Sequence, residues 1–443
     1  MKEYRSYTLQ NYQEIPQSAS LSNKDREAIE VVGRVLPFKT NNYVTDELIQ
    51  WGQLKNDPIF TLNFPRRALL LPHHYQEVKE LMAKSREEAL KASLTQIRRE
   101  LNPNPSGQEY NVPEFRGVRL HGLQHKYRET VLLFPRPGQT CHAYCTFCFR
   151  WPQFSNLQEM KFSIHEDYKL YLAYIKAHPK VTDILFTGGD PMTMNASLLR
   201  AYIDPLLSAE MEQIRNIRIG TKALAYWPYR FTTDPDADEV LRLFEYVVKS
   251  GKHLSIMGHF NHPVELSTDA VQEAIKRIRS TGAQIRTQSP VLRHINDDPK
   301  VWADMLRRQV ALGCIPYYMF VARDTGAKHY FEIPLAQCQL IFKEAYQKVS
   351  GICRTVRGPS MSDHAGKIQI LGVSDDGNRK LFVLRFIQGR NPDWVAKPFF
   401  AEYSATATWF DQLKPAFGAQ KFFFEDELSY YLRDALERDA GAY

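Results

Sequence analysis

The sequence predicts an α/β protein built on an open, partial β/α barrel of six parallel strands. Two observations predict it. Between residues 130 and 325, short apolar runs alternate with amphipathic stretches of helical length, the pattern of parallel strands joined by crossover helices. The residues with unusual chemistry fall directly after those runs, and the carboxyl ends of strands are where such folds bind and react. The pattern alone also admits a doubly wound sheet.

The strand runs are 131–134, 181–186, 217–220, 254–257, 285–288 and 315–321, and the helical stretches between them are 166–177, 196–207, 236–250, 268–280 and 300–312. After the strands come, in order, the cysteines of residues 141–148, Gly188-Gly189-Asp190, Thr221-Lys222, His259-Phe260-Asn261-His262, Gln288-Ser289 and Arg323-Asp324.

Residues 1–115 read as a mainly helical, polar region. Residues 88–100 are rich in Ala, Leu, Arg and Glu, all good helix formers, and the Asn-Pro-Asn-Pro-Ser-Gly run at 102–107 is a breaker that marks a boundary or loop. Residues 116–350 carry the barrel. Residues 351–443 form a C-terminal α+β extension, with a strand pair at 367–373 and 381–386 around the turn Ser374-Asp375-Asp376-Gly377. Phe399-Phe400 and the Phe422–Phe424 run suit packing against a core or a partner.

The net charge of +7 is scattered rather than gathered into a patch, which argues against nucleic-acid binding and leaves anionic small molecules as ligands. No run approaches the roughly 20 apolar residues of a membrane span, and the polar N-terminus lacks a secretory signal. The expectation is a cytoplasmic protein.

Of six cysteines, Cys141, Cys145 and Cys148 cluster while the others are dispersed. This is no disulfide framework, and clustered thiols in a reducing compartment read as metal ligands. Iron–sulfur clusters of the [4Fe-4S] type take four cysteines as a rule, so three leave one iron open to a small molecule. The competing reading is zinc, which wants a fourth ligand that His142 could supply only by turning toward the cysteines.

The Cys-x3-Cys-x2-Cys spacing resembles the radical S-adenosylmethionine (SAM) superfamily. That resemblance implies a cluster on the three cysteines, SAM on the open iron, Phe147 packed on the adenine, and Gly188, Gly189 and Asp190 serving the methionine amino group. It also implies an electron donor such as flavodoxin or ferredoxin. Further segments look like the lysine 2,3-aminomutase family: His125-Lys126-Tyr127, Thr187–Asp190, 217–221, His259–Pro263, 288–297 and Pro316-Tyr317-Tyr318. The resemblance spans roughly residues 115–370. It implies an isomerase that pairs the 5′-deoxyadenosyl radical with pyridoxal 5′-phosphate (PLP), moving an amino group from C2 to C3 of a small-molecule amino-acid substrate. It further implies a homo-oligomer, with the protein supplying orientation and dry walls around the cofactors.

Carried over residue by residue, Arg150 matches the arginine that pairs with the substrate carboxylate. His259 and Gln288 match residues lining the SAM pocket, and Lys367 matches the PLP lysine. Two departures stand out. The glycine run before the PLP lysine is reduced to Gly366, and a basic residue just before the first strand is Thr130. Lysine-acting members hold the substrate ammonium with acids at two positions that align here with Arg323, next to Asp324, and with Arg357. Two guanidinium groups would repel a cationic side chain, so the sequence predicts a non-lysine substrate, including acidic amino acids. The alternatives are a PLP-independent radical rearrangement, epimerisation or elimination on the same scaffold and, further off, a non-catalytic metal- or nucleic-acid-binding protein.

Overall fold

The computed structural model describes residues 2–84, 86–103, 109–155 and 161–440, with the side chains of the last helix described only as far as residue 432. Most of the breaker at 102–107 lies outside the described residues.

An eleven-stranded sheet organises the molecule: β1 (Leu123–Tyr127), β2 (Thr130–Leu133), β3 (Asp183–Phe186), β4 (Asn216–Thr221), β5 (His253–His259), β6 (Gln284–Val291), β7 (Ile315–Val321), β8 (Arg357–Ser362), β9 (Gly366–Asp375), β10 (Lys380–Gly389) and β11 (Pro398–Glu402). Neighbours in the sheet follow chain order throughout. A doubly wound sheet would reverse its strand order part-way, so this arrangement excludes that alternative.

The sequence predicts six parallel strands; the structure has seven, β2 to β8. The seventh, Arg357–Ser362, reads RGPSMS. Gly, Pro and Ser are poor strand formers, so nothing local announces it. Tertiary context creates it, for four of its six residues are buried between β7 and β9. The strand pair expected near residue 370 is the antiparallel hairpin β9–β10, and Gly377 in its turn has φ of +86°.

The crossover helices are α1 (Tyr168–Ala177), α2 (Ala196–Ile203), α3 (Ala237–Lys249), α4 (Asp269–Ser280), α5 (Pro299–Ala311) and α6 (Leu335–Gln347). Their starts follow from capping. The side chains of Asp167, Asn195, Thr268 and Asp298 each accept a backbone N–H of the first turn.

Alternation along the strands decides what faces inward. In β4, Ile217, Ile219 and Thr221 are buried while Arg218 and Gly220 line the central cavity. In β6, Ile285, Thr287, Ser289 and Val291 are buried while Gln288 and Pro290 line it.

The N-terminal region holds helices Asn23–Val35, Pro72–Ala83 and Glu87–Glu100 and a two-stranded pair, Ser6–Thr8 with Lys39–Asn41. One hydrophobic core runs from Tyr7 through the barrel to Val356. A second core gathers Phe382, Phe386, Trp394, Phe399, Phe422 and Phe424 behind the C-terminal sheet. Phe400 and Phe423 stay partly exposed. No helix among the described residues is long and apolar enough to cross a membrane.

Candidate active site

The carboxyl ends of the strands surround a cavity with an empty volume of about 1710 Å³. A second lobe of about 1260 Å³ adjoins it. Phe149, Arg150, Arg218, Arg323, Ser362 and Lys367 line both, so the two lobes share a wall.

The cysteine loop leaves β2 and forms one wall. Cys141, Cys145 and Cys148 are unpaired by disulfides and all line the larger lobe. Backbone donors fix the loop: Tyr144 N–H to the Lys39 carbonyl at 2.7 Å and Thr146 N–H to the Leu62 carbonyl at 2.9 Å. The N-terminal arm also reaches the loop through side chains. Lys39 Nζ donates to the Cys141 carbonyl at 2.8 Å, Tyr4 Oη to the His142 carbonyl at 2.7 Å, and Asn41 Nδ2 to the His142 and Tyr226 carbonyls at 3.1 and 2.9 Å.

The three sulfurs do not all lie within 4.8 Å of one another. Ligands of one tetrahedral zinc, with bonds of about 2.3 Å, must sit closer than that, whereas a four-iron cluster spreads its ligands more widely. Three thiols on one cavity wall are the donor set of a cluster with one iron left open. His142 is buried against Tyr4, with ring centroids 5.8 Å apart, and is absent from the cavity wall; burial pushes its pKa down to about 3. Phe147 lines the cavity 5.7 Å from the His259 ring.

Gly188 and Gly189 follow β3 and lie on the base of the cysteine loop. Gly188 has φ of +131°, and a Cβ on Gly189 would meet the Thr140 carbonyl oxygen at 2.4 Å and its nitrogen at 2.5 Å. Only glycine allows this approach. Asp190 is buried, and its carboxylate accepts from Thr221 Oγ1 at 2.7 Å, Lys222 N–H at 2.8 Å and Met192 N–H at 2.9 Å. Burial raises its pKa to about 6. Its carboxylate thus ties the ends of β3 and β4 together, and Asp190 lines the larger lobe beside Gly188 and Gly189.

His259 ends β5 and pairs with Gln288, which lies within β6 rather than at its end, and both line the larger lobe. Behind them Lys222 Nζ donates to Glu265 Oε1 at 2.7 Å and Asn261 Oδ1 at 2.8 Å. Glu265 and Asn261 are fully buried. The HFNHP run thereby serves a buried ion pair that braces the strand ends.

Lys367, on β9, projects into both lobes with Nζ 4.0 Å from the Tyr318 ring centroid and 5.4 Å from that of Phe320. Burial, together with the charges of Arg218 and Arg357, lowers its pKa to about 7. Arg218 itself is held by a two-point salt bridge to Asp183, which also accepts from Thr130 Oγ1 at 3.0 Å. Arg150 lies between the Phe134 and Phe149 rings, 4.8 and 4.9 Å from their centroids, with one terminal nitrogen unpartnered.

The expected specificity residues separate. Arg323 and Asp324 line the smaller lobe. Arg357 lines neither: it stands at the amino end of β8, its guanidinium 4.3 and 4.4 Å from the Tyr317 and Tyr318 ring centroids. At the carboxyl end of that strand Asp363 takes the place on the wall. Sequence reasoning also missed Trp409 and Asp411 of the C-terminal extension, which close the smaller lobe, and the role of Lys126, whose ammonium hydrogen-bonds the Asp363 carbonyl there. Lys126 carried a signal, lying beside His125 and Tyr127 in a recognised segment; Trp409 and Asp411 carried none.

A partial β/α barrel with three clustered cysteines on the wall of its cavity defines the class: a barrel enzyme whose thiols suit a metal cluster. No family model matches the chain. It is 32% identical over 392 residues to a provisionally named L-lysine 2,3-aminomutase of Aquifex aeolicus (strain VF5), covering 88% of this chain and 91% of that one. To the L-lysine 2,3-aminomutase of Escherichia coli (strain K12) it is 26% identical over 232 residues, 52% of this chain and 63% of that one. The chain belongs to the lysine 2,3-aminomutase family. Among solved structures, a radical SAM methyltransferase from Sphaerobacter thermophilus aligns with 15% identity and a TM-score of 0.36 over 53% of this chain and 68% of that one. Streptococcus suis SuiB bound to S-adenosylmethionine aligns with 12% identity and a TM-score of 0.37 over 61% and 57%.

Proposed function

We propose that the protein is a PLP-dependent radical SAM aminomutase that moves an amino group between C2 and C3 of an amino acid carrying a side-chain carboxylate. In this reading Cys141, Cys145 and Cys148 hold a [4Fe-4S] cluster, and Phe147, Gly188, Gly189, His259 and Gln288 flank SAM. Lys367 holds PLP. When bound, the cluster and SAM supply a 5′-deoxyadenosyl radical and PLP supplies a conjugated system that spreads unpaired spin. An outside electron donor, a flavodoxin or ferredoxin, completes the requirement.

The observation that carries the reading is that Lys367 and the three cysteines line one cavity. A buried lysine with a pKa of about 7 keeps a substantial share of neutral amine at physiological pH, the form that attacks a carbonyl. The smaller lobe is fit for a phosphate: Lys126 is deeply buried there with Arg390 and Arg323 close by. Arg150 lines the shared space and has a buried guanidinium nitrogen without a partner, and its guanidinium suits a substrate carboxylate. Phe149, Phe320 and Phe331 give the larger lobe apolar wall. Arg323 supports a substrate with a side-chain carboxylate. Arg357, off the wall, acts instead on Lys367 through its charge.

The test is anaerobic reconstitution with iron, sulfide and PLP, borohydride treatment, and peptide mass spectrometry. PLP fixed on Lys367, with a 2-to-3 shift of the amino group seen by NMR on a 13C-labelled substrate, is the expected outcome. SAM cleavage without PLP on Lys367 would replace this reading by a PLP-independent radical reaction.

A further inference from the structure

Behind the cysteine loop a phenol meets one of the three sulfurs. Tyr226 ends the short helix Ala223–Tyr226 that follows β4, and its hydroxyl oxygen lies 3.8 Å from Cys145 Sγ, within hydrogen-bond distance for sulfur. The residue is buried and absent from the cavity wall, so it touches the cysteine from outside the site. Its backbone and its ring are both held. The backbone carbonyl accepts from Asn41 Nδ2 at 2.9 Å. Lys222 Nζ stands 4.2 Å from the ring centroid, fixed there by its bonds to Glu265 and Asn261. The Asn63 side chain adjoins the hydroxyl, but its Nδ2 donates to the Ile59 carbonyl at 3.0 Å and its Oδ1 accepts from no group. Asn63 therefore does not take the proton of the phenol.

A free thiol at Cys145 donates to this hydroxyl, whereas a sulfur that ligates iron has given up its proton. The roles then reverse, because a phenol with a pKa of about 10 keeps its own. We propose that the Tyr226 hydroxyl donates to the Cys145 sulfur of the bound cluster and raises the reduction potential of that cluster. The inference rests on the cluster reading above and makes Tyr226 a positioning residue behind it. A hydrogen bond to a ligand sulfur stabilises the reduced cluster, which carries more negative charge, more than the oxidised one. The Lys222 ammonium over the ring draws electron density from the phenol and makes its O–H the better donor. The cluster thereby accepts an outside electron more readily, while the walls of the cavity are left as they are.

The experiment is an anaerobic redox titration of the reconstituted protein, without SAM, followed by electron paramagnetic resonance of the reduced cluster. Tyr226→Phe removes only the hydroxyl oxygen. At an iron content equal to wild type it should shift the reduction equilibrium about tenfold toward the oxidised cluster, a potential lower by about 59 mV for one electron. A tyrosine fluorinated beside the hydroxyl, placed at position 226, has the more acidic and more strongly donating O–H and should move the potential upward. A potential unchanged or raised in Tyr226→Phe overturns the proposal. If that variant fails to fold or loads less iron, the fluorinated protein decides, and a potential unchanged or lowered there overturns it. Reconstituted wild type separates the two levels. A four-iron cluster whose potential ignores both changes removes only the role of Tyr226; wild type that forms no such cluster removes the cluster reading and this proposal with it.

Discussion

Lys367 Nζ lies 4.0 Å from the centre of the Tyr318 ring, held against an aromatic face rather than against a carboxylate. The face of an aromatic ring offers only modest stabilisation to a cation, and Arg218 and Arg357 add repulsion. The amine is thus poised between its two forms near neutrality.

This has a consequence for stability. Unfolded, the lysine has its ordinary pKa of 10.5; folded, it is lowered to about 7. Between these values the unfolded chain binds more protons at this position, so the contribution of Lys367 to stability improves as pH rises through that range. Lys367→Met should raise the melting temperature of the cofactor-free protein most at pH 7 and below, with the difference shrinking toward pH 10. Thermal melts at several pH values check it; a pH-independent difference would show that the lysine is not buried as an amine.

Arg150 has a buried guanidinium with an unpartnered nitrogen on the shared wall. Removing one member of a buried, hydrogen-bonded charge pair costs about 2–5 kcal/mol of binding. Arg150→Gln should therefore raise KM for the amino-acid substrate by about 30-fold or more, while SAM binding, followed by calorimetry, stays as it is.

Gly189 gives a test of the loop's seating. A methyl group there would meet the Thr140 backbone at 2.4 and 2.5 Å, and backbone cannot step aside as a side-chain tip can. Gly189→Ala should destabilise the fold by about 1–3 kcal/mol, the cost of overpacking. It should also lower iron bound per chain after reconstitution; full iron loading at wild-type stability would sink the idea.

Asn41 is fully buried, donates to the His142 and Tyr226 carbonyls, and accepts from the Tyr43 and Val44 N–H groups at 3.0 and 3.1 Å. Hydrogen bonds of this kind contribute about 1 kcal/mol each, and orphaned partners cost more. Asn41→Ala should lower stability by about 2–4 kcal/mol and reduce cluster occupancy, read from iron content and visible absorption.

Much of the barrel was legible because periodicity and position agreed: apolar runs at regular spacing, each followed by residues too polar for a core. The cysteine loop, Gly188-Gly189 and the strand-end His259 belong to that pattern, while Gln288 lies inside β6, which runs three residues further than its apolar run. β8 was not legible, since its RGPSMS run becomes a strand only between β7 and β9. That gap put Arg357 on the expected wall when Asp363 occupies it. The contacts of Tyr4, Lys39 and Asn41 were hidden for another reason. A side chain that seeks one backbone carbonyl more than a hundred residues away leaves no local periodicity to read.

The same long-range contacts order events as the chain is made. The arm at Tyr4 and Asn41 leaves the ribosome first, yet the carbonyls it binds lie 138 residues on, at His142, and 185 residues on, at Tyr226. During that interval the arm has no acceptors to clasp, and the thiols that follow it emerge into an unfinished socket. Closure of the arm onto the cysteine loop therefore waits until Tyr226 has emerged.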